Sequence, residues 1–310
     1  MIVSLTANTT LDQTVFIPSL TPGKTIRASQ TVQSMGGKPA DASWILGEMG
    51  IPSLALGFAG GATGKKMEAL LNARGVHTDF IWMETDTRIN VVIVAEDTGS
   101  MTTITTTTMD VTPAALDTLR AQFAALLEGA TVVVTGGTLP RGLTPDFYTE
   151  FIGMARGRGV PVVFDAAEPN LSAGVAAQPN YIKPNRDELA ALTGMTIRTI
   201  DDALRAGRQV IEQYGVSPII SLDSEGGLAV LPDRAYRIPA LPIEVVSAAG
   251  AGDGVLAGIT ASLHLGQPIE EGLRLGFACA TAVCLQPGTA DCRREDVERF
   301  LPQIELIPLA

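Results

Sequence analysis

Residues 131–165 read TVVVTGGTLPRGLTPDFYTEFIGMARGRGVPVVFD. The segment opens on a β-branched run from Thr131 to Thr135, continues into a helical pattern from Pro145 to Arg156, and closes on a second apolar run from Val160 to Asp165. Continuous apolar runs are typical of strands buried on both faces of a sheet, and an intervening helix is typical of parallel pairing. The segment therefore predicts a β-α-β unit.

The same alternation of apolar runs and amphipathic stretches extends in both directions from this unit. The other predicted strands are 2–5, 53–58, 218–222 and 243–246, and the predicted helices are 40–49, 66–73, 113–128, 186–192, 201–214 and 255–265. A regular succession of this kind is typical of α/β proteins. We expect a mostly parallel sheet with helices on both faces, in a single domain over residues 1–310.

Two stretches depart from this rhythm, Val15 to Met35 and Arg88 to Thr108. Both alternate apolar with polar or Thr residues and lack a helical period, and the second ends in the Thr-rich tract 102–108. Thr is β-branched and tolerates both faces of a sheet, so a half-exposed strand explains the tract. We expect segments of about 12–35 and 86–108 to pair into a small additional β-sheet, which could act as a lid.

Composition excludes several classes of protein. The chain is 46% hydrophobic and 18% charged, so a disordered protein is excluded. Its net charge of −11, from 22 basic and 33 acidic side chains, argues against a nucleic-acid partner. No apolar stretch reaches the length of a membrane span, and the opening residues 1–5 lack the basic region of a secretory signal. We expect a cytoplasmic protein with no membrane partner.

Three cysteines, Cys279, Cys284 and Cys292, lie close together near the end of the sequence. Their odd number and the lack of a CxxC pair argue against a disulfide framework, and no fourth ligand stands at metal spacing for zinc. We expect buried thiols that pack as small hydrophobic side chains.

The segment with the clearest chemistry is SAAGAGDGVLAG, residues 247–258, which runs into the predicted helix 255–265. Small residues before a helix leave its first N–H groups free to bind an anion. A carboxylate beside a phosphate repels it unless the carboxylate takes a proton. Asp253 would then be a general base, and the amides of Gly250, Ala251 and Gly252 would stabilise the developing charge. The alternative is a tight turn with Asp253 favoured by the helix dipole alone.

GAGDG closely resembles the GAGD signature of the ribokinase-like (PfkB) carbohydrate kinases. The resemblance covers nearly the whole chain, because five further segments follow the family in order. They are NTTLD at 8–12, GGK at 36–38, GGTLPRG at 136–142, KPNRDEL at 183–189 and SLDSEGG at 221–227. Within the family, the chain is most similar to the 1-phosphofructokinase and tagatose-6-phosphate kinase branch. This similarity rests on the NxxLD opening, Arg27, the segment 87–90 and KPNxxEL.

The resemblance implies a ribokinase-like fold and an enzyme that transfers the γ-phosphoryl group of ATP to a sugar hydroxyl, with Asp253 as base. Asn185 and Glu188 would organise Mg²⁺ through water, and K⁺ is a further candidate cofactor. The residues along the nucleotide would be Lys183, Ser221, Asp223 and Gly226. Phosphoryl transfer demands mainly positioning and charge neutralisation, which suits this division of roles. By themselves, Asn185 and Glu188 also fit a helix capping box.

The resemblance also assigns an acceptor side, where Asp12 binds sugar hydroxyls and the GGK segment lets the acceptor approach closely. Arg27, Lys38 and Arg88 would be available for a phosphate already on the sugar, because arginine suits bidentate contacts. The acceptor would be fructose 1-phosphate, tagatose 6-phosphate or fructose 6-phosphate. The complete set of implied substrate residues is Asp12, Arg27, Gly36, Gly37, Lys38, Asp41, Arg88 and Thr138.

Four residues depart from the family pattern. Pro39 and Asp223 stand where the family has Gly, Asp41 replaces an Asn, and Gly254 replaces a Ser. Pro39 removes an N–H, or simply opens the following helix. These departures keep two alternatives open, namely a kinase of an unphosphorylated sugar, polyol or nucleoside, and a non-catalytic sugar- or nucleotide-binding regulator. The resemblance further implies that the lid covers the acceptor and that the protein is a homodimer.

Overall fold

The computed structural model describes residues 1–309 and contains two β-sheets flanked by helices. In chain order the strands are β1 (Ile2–Thr6), β2 (Thr10–Ile17), β3 (Gln30–Gly36), β4 (Ser53–Gly60), β5 (His77–Met83), β6 (Arg88–Ala95), β7 (Ser100–Ile104), β8 (Val132–Gly136), β9 (Val162–Asp165), β10 (Tyr181–Ile182), β11 (Ser217–Ser221), β12 (Gly227–Val230), β13 (Ala235–Ile238) and β14 (Ile307–Leu309).

The helices surround the larger sheet. They are α1 (Lys38–Glu48), α2 (Gly61–Ala73), α3 (Pro113–Leu126), α4 (Asp146–Gly157), α5 (Asn170–Ala176), α6 (Arg186–Thr193), α7 (Ile200–Tyr214), α8 (Ala251–Leu265), α9 (Ile269–Val283) and α10 (Arg294–Phe300). Helix starts carry recognisable caps. Thr112 caps α3 through its side chain, and both Asn185 and Thr199 form capping boxes at α6 and α7.

The larger sheet has the strand order β14-β13-β12-β11-β10-β9-β8-β1-β4-β5. All neighbours from β5 to β11 are parallel, whereas β11 to β14 pair antiparallel. The prediction of a mostly parallel sheet is confirmed. The β-α-β unit also appears as predicted, with β8 and β9 paired in parallel on either side of α4.

Side chains alternate between two cores on opposite faces of this sheet. Val133 belongs to one core together with helices α3 to α7, whereas Val132 and Val134 belong to the other together with α1, α8, α9 and α10. Successive strand residues point to opposite faces, so a strand that is apolar at every position must be covered on both sides. The continuous run at 131–135 therefore determines the layered arrangement.

The smaller sheet has the order β3-β2-β6-β7 and contains the strands of the two stretches predicted to form it. β2 and β6 pair in parallel over eight residues and are largely buried, whereas all five residues of β7 are exposed. The Thr-rich tract contributes to β7 only as far as Ile104, and residues 105–108 follow without regular structure. Residues 18–29 form a long connection between β2 and β3.

The predicted strand at 243–246 is wrong, because these residues have no regular secondary structure. Val245 and Val246 are 56% and 42% exposed and so contribute little to the core. The Val246 N–H donates to the carbonyl of Cys284, the residue that caps α9, and not to a strand neighbour. The predicted helix that follows begins earlier than expected, since α8 starts at Ala251 and includes Gly252 and Asp253.

Helices α8 and α9 approach so closely that glycines replace side chains between them. A Cβ added to Gly258 would lie 2.2 Å from the nitrogen of Gly276 and 2.4 Å from the carbonyl oxygen of Gly272. One turn earlier, a Cβ on Gly254 would lie 2.5 Å from the nitrogen of Ala280. The departure from Ser at Gly254 is therefore explained by helix packing.

We expect Gly258→Ala to lower the free energy of unfolding by about 1–3 kcal/mol, because the methyl group must push two helix backbones apart. Gly153→Ala is the matched control, since Gly153 lies in α4 and a Cβ added there would meet no atom within 4 Å. The control should gain about 0.5–1 kcal/mol from helix propensity. Urea denaturation measures both, and equal changes in the two variants would contradict the close packing.

Candidate active site

The chemically distinctive side chains gather at one edge of the larger sheet. Asp165 is the last residue of β9, Lys183 follows β10 directly, and Thr138 lies two residues beyond β8. Because parallel strands end at the same edge, these segments meet there, where open α/β sheets bind their ligands. Lys38 reaches the same edge from the first residue of α1.

Asp165 holds two ammonium groups. Its Oδ1 lies 2.7 Å from Lys38 Nζ and its Oδ2 lies 3.0 Å from Lys183 Nζ, and the carboxylate is only 1% exposed. Burial acts to raise the pKa of Asp165, but Lys183 and Lys38 outweigh it and the pKa is lowered. For Lys38, burial acts to lower the pKa, but Asp165 and Glu188 outweigh it and the pKa is raised. Lys38 therefore keeps its charge in spite of its burial.

Asp253 lies beside these cations in the first turn of α8 and is 6% exposed. Burial and the charge of Asp165 raise the pKa of Asp253 to about 7, although Lys38 and Lys183 oppose the shift. A carboxylate with a pKa near 7 is a competent general base at neutral pH. The backbone at Gly252 lies close to Lys183, since a Cβ added to Gly252 would lie 3.0 Å from Lys183 Nζ.

The amides before Asp253 are only partly free. The Ala251 N–H donates to the carbonyl of Ala248, and the Asp253 N–H donates to the carbonyl of Gly250. Within residues 1–309, the Gly250 and Gly252 N–H groups have no hydrogen-bond acceptor. Of the three predicted anion-binding amides, Gly250 and Gly252 are therefore available, and Ala251 is engaged. Gly250 has φ of 80°, and a Cβ there would lie 2.3 Å from the nitrogen of Ala290, so only glycine fits.

Asp12 defines a second group of residues where the small sheet joins the large one. Asn90 Nδ2 donates to Asp12 Oδ1 at 3.1 Å, and a Cβ on Gly36 would lie 2.3 Å from the same oxygen. Burial raises the pKa of Asp12, and the hydrogen bond from Asn90 and the charge of Arg88 oppose the rise. Gly36 therefore makes room for the Asp12 carboxylate. Gly37 follows with φ of 99° as the N-cap of α1.

Arg88 and Thr138 adjoin Asp12. Arg88 Nη2 donates to Thr138 Oγ1 at 3.3 Å, Asn8 Nδ2 donates to the same oxygen at 3.0 Å, and the charges of Arg88 and Asp12 attract each other. Three of the predicted substrate residues, Asp12, Arg88 and Thr138, are thus neighbours. Asn8, part of the NTTLD segment but absent from the predicted site, belongs with them.

The three predicted phosphate-binding cations have different surroundings. Lys38 pairs with Asp165, whereas Arg88 lies by Thr138. Arg27 is exposed in the connection between β2 and β3 and forms no ion pair or hydrogen bond with any of residues 1–309. A long connection carries no periodicity that fixes where its side chains lie, so the sequence could not place Arg27.

Both departures in the GGK region lie in the first turn of α1. Pro39 stands where a helix N–H has no intrahelical partner, so it opens the helix without loss of a bond. Asp41 is 2% exposed and its carboxyl group is within reach of a hydrogen bond with Asp253. Asp41 therefore faces the site and does not cap the helix.

Asn185 and Glu188 form a complete capping box at α6. The Glu188 N–H donates to Asn185 Oδ1 at 2.8 Å, and the Asn185 N–H donates to Glu188 Oε2 at 2.9 Å. The other carboxylate oxygen, Glu188 Oε1, lies 3.9 Å from Lys38 Nζ, beyond hydrogen-bond distance. A carboxylate oxygen left free suits Mg²⁺, which keeps several waters and takes few protein ligands. The predicted cap and the implied metal role are compatible.

No cluster of three or more His, Cys, Asp or Glu residues able to hold a metal occurs in residues 1–309. An ion at Glu188 would therefore depend on water and nucleotide phosphates for most of its ligands. The cysteines, as expected, are free and at least partly buried. Across the same residues, no helix is long and apolar enough to cross a membrane.

The implied nucleotide loop lies beside Asn185. Ser221 bridges to Asn185 in parallel register, and the Arg186 guanidinium pairs with Glu225 at 2.6 Å. Asp223, which stands in a glycine place of the family pattern, has φ of 51°, a left-handed conformation that Asp tolerates better than most side chains. Gly226 has φ of 92° in the same turn. The departure at Asp223 therefore preserves the turn.

A buried carboxylate at a glycine-rich helix start, two ammonium groups and a free carboxylate oxygen form an arrangement suited to phosphoryl transfer. The family model for "pfkB family carbohydrate kinase" matches residues 4–296. The chain therefore belongs to the pfkB family of carbohydrate kinases, phosphotransferases with an alcohol group as acceptor that use ATP and Mg²⁺.

Similar proteins agree with this assignment. The chain is 30% identical over 311 residues to the 1-phosphofructokinase of Bacillus subtilis, with 100% of both chains covered. It is 30% identical to the ATP-dependent 6-phosphofructokinase isozyme 2 of Mycobacterium tuberculosis, over 96% of this chain and 88% of that protein.

Solved structures show the same architecture. Phosphofructokinase-2 of Escherichia coli, in complex with substrates and products, superposes with a TM-score of 0.91 at 25% identity, over 98% of this chain and 99% of that one. Ribokinase of Arabidopsis thaliana has a TM-score of 0.78 at 23% identity, over 97% and 98% of the two chains. The fold is therefore ribokinase-like, as the resemblance implied.

The ion pairs of Asp165 predict a strong effect on stability. We expect Asp165→Ala to lower the free energy of unfolding by about 3–5 kcal/mol, because it removes the carboxylate that contacts both ammonium groups and leaves only the less direct charges of Glu188 and Asp253 beside them. Asp110→Ala is the control, since Asp110 pairs with Arg141 where both side chains are more than 60% exposed. Urea denaturation should show almost no change for the control, and similar losses in both variants would contradict the assignment.

Proposed function

We propose that this kinase transfers the γ-phosphoryl group of ATP to a hydroxyl of a phosphosugar, with fructose 1-phosphate as the first candidate, and tagatose 6-phosphate or fructose 6-phosphate as the others. The observation that carries the proposal is the buried Asp253 carboxylate at a glycine-rich helix start, where the charges of Lys38 and Lys183 act on it. Relatives named 1-phosphofructokinase and 6-phosphofructokinase support the phosphosugar class.

In the proposed mechanism, Asp253 accepts the proton of the acceptor hydroxyl as its oxygen attacks the γ-phosphorus. The Gly250 and Gly252 N–H groups stabilise negative charge on the transferred group, together with Lys38 and Lys183. These donors are already in place, so little reorganisation is needed during transfer. When bound, Mg²⁺ neutralises charge on the nucleotide phosphates.

Nucleotide binding would fall to the segment beyond Lys183. Glu188 would hold the magnesium ion through water, fixed in position by its own hydrogen bond to the Asn185 N–H. Ser221, Asp223 and Gly226 would line the nucleotide, since this turn lies against Asn185. We also propose a potassium requirement, supported by the phosphofructokinase-2 of Escherichia coli that was solved with potassium.

The acceptor would lie between Asp12 and Asp253. Asp12 would accept hydrogen bonds from sugar hydroxyls, and Gly36 and Gly37 would keep the wall free of side chains. Arg88, held by Thr138, would bind the phosphate already on the sugar. Arg27 would have to approach from its exposed connection.

An unphosphorylated acceptor is the second candidate. The observation that favours it is the buried Asp41, because a carboxyl group suits hydroxyl partners and, when ionised, would repel a sugar phosphate.

We propose a homodimer formed through the small sheet, which would act as the lid over the acceptor. The edge strand β7 is exposed along its length, and its apolar residues Met101 and Ile104 are 42% and 50% exposed. An unpaired strand edge with apolar side chains is suited to association. A phosphofructokinase-2 of Escherichia coli has been solved as a tetramer.

We expect Asp253→Asn to lower kcat by about 10²- to 10⁴-fold while nucleotide binding persists, because the amide keeps the shape but cannot accept the proton. A coupled ADP-release assay with MgATP measures turnover on fructose 1-phosphate, fructose 6-phosphate, tagatose 6-phosphate, fructose, ribose, inositol and adenosine. Asp146→Asn, an exposed residue at the start of α4, is the control and should retain full activity. Full turnover by Asp253→Asn would refute its role as base.

We expect Arg88→Ala to raise KM for a phosphosugar by about 10- to 100-fold, the loss of one charged hydrogen bond, with a much smaller effect on the unphosphorylated sugar. Steady-state kinetics on matched pairs, such as fructose 6-phosphate and fructose, measure the difference. Arg141→Ala is the matched control, because Arg141 pairs with Asp110 on the surface. An equal rise in KM for the phosphosugar and for the unphosphorylated sugar would show that Arg88 does not bind the phosphate.

A further inference from the structure

The Asp41 and Asp253 carboxyl groups form a buried pair. Asp41 lies in the first turn of α1, Asp253 lies in the first turn of α8, and the two helices pack against each other. The two residues are 2% and 6% exposed, and their carboxyl groups are within reach of a mutual hydrogen bond. An ionised carboxylate can only accept, so a hydrogen bond between two carboxyl groups requires one proton.

The surroundings decide where that proton resides. Lys38 and Lys183 both act on Asp253 and favour its charged form. Among residues 1–309 no cation acts in the same way on Asp41, whose charged neighbours there are the carboxyl groups of Asp253 and Asp12. Arg88, which lies nearer Asp12, is the cation of that neighbouring group.

The environment of one Asp41 oxygen also favours the neutral form of this carboxyl group. Its Oδ1 is buried and has no hydrogen-bond partner in residues 1–309. A buried charged oxygen without a donor is costly, whereas a neutral carboxyl group is tolerated. Burial and Asp253 together raise the pKa of Asp41 well above its ordinary value.

We propose that Asp41 works as a neutral carboxylic acid that donates its proton in a hydrogen bond to the Asp253 carboxylate, and so positions the base and sets the upper pH limit of catalysis. Asp41 acts through Asp253 and is therefore a positioning residue. The inference rests on the proposed role of Asp253 as base.

Because both carboxyl groups titrate, the pH dependence of catalysis contains two ionisations, one of Asp253 and one of Asp41. Activity rises as Asp253 loses its proton, because only the carboxylate can accept one from the acceptor hydroxyl. Activity falls again at higher pH as Asp41 loses its proton, because the hydrogen bond becomes repulsion between two buried carboxylates. The second charge also repels the phosphoryl group in transfer.

The test compares the pH profile of kcat/KM for the full-length wild type with Asp41→Asn and Asp41→Ala. Asn keeps an N–H donor without an ionisation, so Asp41→Asn should retain the rising limb and lose the falling limb. Ala removes the donor, so the rising limb should move up by about 1 pH unit. A wild-type falling limb that persists in Asp41→Asn, or a uniform loss with unchanged limbs, would overturn the proposal.

A second measurement needs no acceptor and so separates this inference from the proposed function. An acid whose folded pKa is raised stabilises the fold below its unfolded pKa of about 4 and loses that contribution as pH rises through the folded pKa. Asp41→Asn should therefore gain Tm relative to the wild type as pH rises above about 4. Asp146→Asn, the exposed control, should show no such trend. A Tm difference for Asp41→Asn that is independent of pH would overturn the proposal even if no acceptor is turned over.

Discussion

The site depends on one buried ion cluster, in which Asp165 binds Lys38 and Lys183. The three residues come from the end of β9, the start of α1 and the segment after β10, so a single carboxylate joins three parts of the chain at the sheet edge. Without it, two ammonium groups would repel each other next to Asp253. The negative charge of Asp165 thus has two effects, since it retains the cations and also raises the pKa of Asp253.

The layered fold was predictable because its signal is local. A run that is apolar at every position, such as 131–135, identifies a strand covered on both faces without knowledge of its neighbours. The prediction of a strand at 243–246 was wrong because it too used only the local sequence. Its residues match the pattern of a strand, but Val246 finds its hydrogen-bond partner at the end of α9, a contact that only the tertiary structure supplies.

The sequence predicted the positions of the motif residues better than the contacts that their side chains make. Asp253, Asn185 and Glu188 carry spacing that relates chemistry to a helix start, so their positions could be inferred. Asp165 carries no such signal, because it reads as the last residue of an ordinary strand and becomes distinctive only through Lys38 and Lys183. For Arg27, the charge suggested a role in binding. The long connection around it, however, has no periodic pattern from which the position of its side chain could be predicted.

The small sheet is joined to the core by several short links. β1 ends at Thr6 and β2 begins at Thr10, β3 ends at Gly36 and α1 begins at Lys38, and β5 ends at Met83 and β6 begins at Arg88. β2 is eight residues long, which corresponds to about 26 Å of extended chain. Asp12 lies close to these links and is buried, whereas Arg27 lies beyond the far end of β2 and is exposed. The position of Asp12 is therefore fixed by the core, and that of Arg27 is not.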